Sequence, residues 1–180
     1  LGAIDALLAA LDDRRKDAVG IVGGNVKYYS APTVDNGGAV AIDLLVGKTK
    51  TTYPAEVTVC DGVLGCVMLI DGGLVRMLLP QVFCGELFLC TDESELSLRA
   101  RRMGIKTIYI PTTVGLHKGG LSTSRVSRLA YYYTARNWAF LRLRYSRGLA
   151  RKLAILVSIA AYAGARQWIL NQLLGTSMVT

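Results

Sequence analysis

Leu1, Ile4, Leu7, Leu8 and Leu11 recur at helical spacing, with Asp12, Asp13 and Arg14 beyond them, which predicts an amphipathic surface helix over residues 1–13. Residues 18–29 alternate enough to lie in a sheet. Pro32, Asn36, Gly37 and Gly38 mark residues 30–52 as a turn-rich excursion. Strands are expected at 56–60 and 63–70, the second a continuous apolar run suited to the buried centre of a sheet. A further strand is expected at 105–111, ended by Pro111. Residues 124–147 read as a long helix carrying Tyr131, Tyr132, Tyr133, Arg136, Asn137, Trp138 and Phe140. Residues 153–165 contain no charge. As helix they extend only ~20 Å, short of the ~30 Å hydrocarbon core, so a membrane crossing is not expected. Two readings stay open for this run: an interfacial or re-entrant helix with Trp168 and the basic flanks at headgroup level, or a helix packed on the domain or on a second copy.

Residues 90–102, C-T-D-E-S-E-L-S-L-R-A-R-R, pass from acid to base within one expected helix. Asp92 suits the N-cap and Glu95, three residues on, a capping box; Arg99, Arg101 and Arg102 suit the negative end of the helix dipole. That assignment leaves Glu93 without a structural task. Glu95 is also the last acid in the chain. Residues 1–95 carry a net charge of −6 and residues 96–180 a net charge of +14, within an overall +8. In the basic half, Arg136, Arg144, Arg147 and Arg151 fall within an arc of about 80° on a helical wheel. With no acids nearby to pair them, an anionic surface is the expected partner.

Composition adds bounds. A chain of 180 residues, 52% hydrophobic and 19% charged, is long and apolar enough for one core and excludes a disordered chain. It starts at Leu1 with no basic region before an apolar run, which suggests a fragment or a processed product without a signal peptide. Cys60, Cys66, Cys84 and Cys90 match no Cys-x-x-Cys site, so reduced, mostly buried thiols in a cytosolic protein are expected. Gly47-Lys48-Thr49 suggests a phosphate loop, but Ile42 stands where that loop needs glycine.

Several blocks carry a resemblance. C-T-D-E-S-E-L-S-L-R-A-R-R-M-G, then I-Y-I-P-T-T-V-G-L-H-K-G-G-L-S, then Y-Y-Y-T-A-R-N resemble, in order and spacing, the C-terminal half of a family 2 glycosyltransferase of the rhamnosyltransferase-like kind. D-A-L-L-A-A-L with V-G-I-V-G-G-N-V-K-Y-Y resembles the segment after the aspartate motif that binds the nucleotide sugar. Residues 65–70 are similar to the family strand beside the acceptor pocket. The sequence departs from the family where Cys84 and Gly85 replace an acidic pair, and where Asp92-Glu93 reverses the commoner order.

The resemblance implies an α/β fold, the C-terminal part of a GT-A (Rossmann-like) domain over residues 1–123, followed by basic and apolar helices over 124–180. It implies Glu93 as the base that takes a proton from the acceptor hydroxyl, with Asp92 beside it. Gly65, Cys66 and Glu95 fall on the acceptor side, and His117, Gly119, Gly120 and Arg99 near diphosphate or metal. A divalent cation, Mg2+ or Mn2+, would be held mostly by an upstream half that this chain lacks, so the chain alone is expected to turn over little. The implied partners are a nucleotide sugar, a saccharide or lipid-linked acceptor, and an anionic membrane surface on the cytoplasmic side met by Arg136, Arg144, Arg147, Arg151 and Trp168. Two alternatives are a basic membrane-surface or nucleic-acid binding module without catalysis, and an inactive scaffold. The chain contains no nucleic-acid motif.

Overall fold

A computed structural model describes residues 2–119 and 127–175, as a mixed α/β fold. Its spine is a parallel pair, β1 (Val19–Tyr28) and β8 (Lys106–His117). β2 (Asp35–Gly37) and β7 (Met68–Ile70) pair antiparallel with β1, and β5 (Thr58–Cys60) pairs antiparallel with β8. A second sheet has the order β4-β3-β6, from β3 (Ala39–Asp43), β4 (Lys48–Thr52) and β6 (Gly62–Val63).

Strand alternation sends successive side chains of β1 to opposite faces, and each face finds an apolar partner. Val22 and Val26 meet Leu7 and Leu11 of α1 (Gly2–Asp13), together with Ile108 and Ile110 of β8. Ile21 meets Tyr109, Leu74 and Leu78 of α2 (Gly72–Leu78), and Leu96 and Ala100 of α3 (Asp92–Arg102). Gly23 is required by crowding, since a Cβ there would come within 2.5 Å of the Val63 Cβ. A third cluster joins Leu87 and Leu98 to Leu141 and Tyr145 of α4 (Ser127–Tyr145). α5 (Leu149–Gly175) follows after a short turn in which Gly148 has φ +85°.

Several expectations need correction. Residues 63–70 are not one central strand: β6 and β7 belong to different sheets, and the turn between them carries Gly65 and Cys66. Residues 30–52 contain the β3–β4 hairpin, with Asp43 accepting from the Leu45 and Val46 N–H groups and Gly47 at φ +78° closing the turn. The alternation in A-V-A-I-D and K-T-K-T-T was its signal. α2 is capped by Asp71, whose carboxylate accepts from the Gly73 and Leu74 N–H groups. β8 continues through Pro111. Ile110 pairs with Gly24 and Thr113 with Asn25, so Pro111 sits in a bulge where its missing N–H deprives no ladder bond.

The run 153–165 lies inside the longer α5. Ile155 is fully buried, whereas Leu149, Leu153, Leu156 and Val157 are exposed. No described helix is long and apolar enough to cross a membrane. The expected boundary at 123/124 lies outside the described residues, as do Gly120 and the side chain of Trp168.

Candidate active site

The site is organised by the loop that leads into α3. Phe88, Cys90 and Thr91 adopt φ of 53°, 65° and 65°, a left-handed conformation that each side chain makes unfavourable by roughly 1–2 kcal/mol. Such a loop persists only when its surroundings hold it. Asn137, fully buried on α4, does so: its Nδ2 lies 2.9, 2.8 and 2.9 Å from the carbonyl oxygens of Leu87, Leu89 and Cys90. With two hydrogens for three acceptors, one bond is shared. Arg136 Nη1 adds a bond of 2.6 Å to the Glu86 carbonyl. The Arg-Asn dipeptide of α4 thereby fixes the loop ahead of α3. Sequence reasoning placed both residues on the helix and missed this role.

The left-handed Thr91 is the residue before α3, and it makes no side-chain cap; Asp92 is the first helical residue, not the N-cap. Nor is there a capping box. Glu95 turns inward, fully buried, with Oε1 accepting a 2.5 Å hydrogen bond from the Tyr145 hydroxyl and Oε2 3.0 Å from Arg99 Nη2. Burial and the bond to Glu95 raise the Tyr145 pKa. Glu95 is therefore a core residue without access to an acceptor. Arg99 is committed as well, donating to the carbonyls of Gln81 (2.9 Å) and Val82 (2.5 Å), which leaves no fork for a diphosphate.

Asp92 and Glu93 face the other way, into a pocket of about 230 Å³. Gly65 and Cys66 from the β6–β7 turn, Phe83 and His117 share its lining. Four separate stretches of chain meet there. Burial, reinforced by the adjacent Asp92 carboxylate, pushes the Glu93 pKa up to about 7. Such a carboxyl is a proton acceptor of useful strength near neutrality. Gly65 is what lets Glu93 lie against the turn, since a Cβ there would come 3.1 Å from the Glu93 Cβ and 3.3 Å from its Cγ.

His117 ends β8 at the carboxyl edge of the parallel pair, the edge that ligands occupy in open α/β sheets. Its Nδ1 lies 3.0 Å from Asn36 Nδ2, so Asn36 orients the ring with Nδ1 as acceptor and Nε2 protonated when the imidazole is neutral. The sequence marked Asn36 only as a turn residue, whereas it lies in β2. Cys66 is an exposed thiol whose pKa burial of the sulfur and the Glu93 carboxylate both raise. Of the other three, all half-buried and free, Cys60 is pushed up to about 11 by burial. Gly119 has φ +58° but does not line the pocket.

Among the described residues no three His, Cys, Asp or Glu side chains converge to hold a metal ion. Asp92, Glu93 and His117 do not make a cation site by themselves. The four arginines of the expected stripe divide into two pairs: Arg136 and Arg144 serve the Glu86 loop, Arg144 at 3.8 Å from the Glu86 carboxylate, while Arg147 and Arg151 line a separate basic cavity. No protein-family model, no curated protein and no solved structure matches this chain.

Proposed function

We propose that the pocket at the head of α3 is the acceptor side of a glycosyl-transfer site, with Glu93 as the base and the chain as the C-terminal half of a GT-A-like domain. One observation carries the reading: Asp92, Glu93, Gly65, Cys66 and His117, which the family resemblance groups by role, line one pocket in which the Glu93 pKa is raised to about 7. At about 230 Å³ the pocket is smaller than the roughly 300–1,000 Å³ of sites that enclose a whole drug-sized ligand. It suits one sugar unit whose remaining chain extends outward.

The chemistry of these residues follows from their environment. Glu93, half ionised near pH 7 and more so above it, accepts the proton of an acceptor hydroxyl as the oxygen attacks the anomeric carbon of a nucleotide sugar and the bond from that carbon to the diphosphate breaks, the nucleoside diphosphate leaving with the electron pair. The Asp92 charge makes Glu93 a stronger base, and the Nε2–H of His117 offers a hydrogen bond to the acceptor. A single displacement of this kind inverts the anomeric centre. The nucleotide sugar, and the Mg2+ or Mn2+ that neutralises its diphosphate, belong to the donor-binding half that the resemblance places upstream. On this reading the acceptor is a saccharide or a lipid-linked saccharide, reached at the cytoplasmic face of a membrane.

A basic binding module without catalysis is the competing reading. It accounts for the +14 half of the chain but gives no task to a raised Glu93 in an acidic pocket. The test is sugar transfer from a nucleotide sugar by the chain joined to its donor-binding half. Glu93→Gln should lower kcat by at least about a hundredfold, the lower end for general-base catalysis, with the circular dichroism melt preserved. Unchanged kcat in a folded variant removes Glu93 from the reaction.

A further inference from the structure

α3 has opposite chemistry at its two ends. About 12 Å along the axis from Glu93, Arg101 and Arg102 meet Arg147 and Arg151 around a cavity of about 400 Å³ that Tyr145 also lines. A second concavity of about 490 Å³ shares Arg101 and Arg151 with it and adds Lys48 and Lys50 from the β3–β4 hairpin. Six cations thus border two adjoining hollows.

The carboxylates nearby offset only part of this charge. Asp61 pairs with Arg101, and Asp43, which also borders the second hollow, accepts from the N–H groups of Val46 and Leu45, which together with the nearby Lys48 and Arg151 charges lower its pKa. Among the described residues, Arg102, Arg147 and Arg151 have no carboxylate within ion-pair distance. Arg102 is held in place without one: it donates to the Arg144 carbonyl at 2.6 Å and lies 4.3 Å over the Tyr145 ring. Guanidinium groups gathered around one cavity repel each other, and an anion relieves that cost. The planar fork of arginine matches phosphate oxygens two at a time. Arg151 also stands in the first turn of α5, where the helix dipole adds positive potential.

We infer that the cavity bounded by Arg101, Arg102, Arg147 and Arg151 binds a phosphate or diphosphate group. The inference stands whether or not the chain transfers sugar. The group is carried either by a soluble phosphate ester or by a lipid headgroup. Leu149, Leu153 and Val157, exposed at i, i+4 and i+8 on α5, give the lipid source a neighbouring apolar face.

The test uses the 180-residue chain and its Arg147→Gln/Arg151→Gln variant; both side chains are exposed, so folding should survive, and a thermal melt checks it. Inorganic pyrophosphate is titrated calorimetrically at low salt, and flotation is measured with phosphatidylcholine vesicles with and without phosphatidic acid. Saturable pyrophosphate binding, weakened at least about tenfold in the double variant and untouched by Arg14→Gln/Lys16→Gln on the opposite end of the chain, supports the site. Flotation only with phosphatidic acid, reversed by pyrophosphate, assigns the lipid source. Pyrophosphate binding without flotation assigns the soluble one. Binding of neither probe, or equal loss in both double variants, overturns the inference.

Discussion

Gly65 and Glu93 touch without a side chain between them: any Cβ at residue 65 would come 3.1 Å from the Cβ of Glu93. The turn and the first turn of α3 are therefore set against each other at the one place where the pocket needs its carboxylate. No left-handed backbone is involved at Gly65, so alanine is tolerated by the chain itself and only Glu93 must give way.

Gly65→Ala should leave the melting temperature within a few degrees of wild type, because loss of unfolded-chain entropy offsets local crowding. Transfer should fall about tenfold, since displacement by tenths of an ångström misplaces the base. Steady-state kinetics and a thermal melt on the same preparation separate the two effects. Unchanged kcat shows that the contact is incidental.

Asn137→Ala should loosen the loop into α3. Three carbonyls lose their donor, and Phe88, Cys90 and Thr91 lose what holds them at positive φ. A loss of about 1–3 kcal/mol is expected in urea unfolding, with faster amide exchange concentrated at residues 87–92. Exchange spread evenly through α4 would instead mark Asn137 as an ordinary helix residue.

Two variants test the burial of Glu95. Tyr145→Phe removes the hydroxyl from Glu95 Oε1 and should cost about 1–3 kcal/mol. Arg99→Ala strips the buried carboxylate of its cation and should cost about 3–5 kcal/mol. Neither should affect acceptor affinity in the folded fraction, which equilibrium binding of a saccharide acceptor measures.

Much of this arrangement was legible in the sequence, and the remainder has physical reasons. The periodicity of Leu7 and Leu11, the alternation along β1 and the acid-to-base sweep of α3 act locally, so pattern reveals them. The break within 63–70 does not, because an apolar run reads the same whether one strand or two edges share it. The capping box was misread because Asp-x-x-Glu spacing occurs equally where the glutamate turns inward to a tyrosine 50 residues away. Asn36 and Asn137 act only through distant partners, His117 and the 87–90 carbonyls, and no local spacing encodes that.

Stability should depend on pH through Glu93. Its folded pKa of about 7 lies above the ordinary 4.5, so between those values the folded state holds a proton that the unfolded state has released. The stabilisation is fully present below about pH 4.5 and is lost as pH rises through about 7, an effect on the order of 3 kcal/mol. Urea midpoints should fall across this window in wild type. Glu93→Gln should flatten that part of the curve.

The central claim is that Glu93 is a poised base, and direct titration of its carboxyl carbon by nuclear magnetic resonance, assigned through Glu93→Gln, tests it without any substrate. The account requires a midpoint of about 7. A midpoint near the ordinary 4.5 would mean a solvated carboxylate at the head of a helix, and the proposed chemistry would have no base.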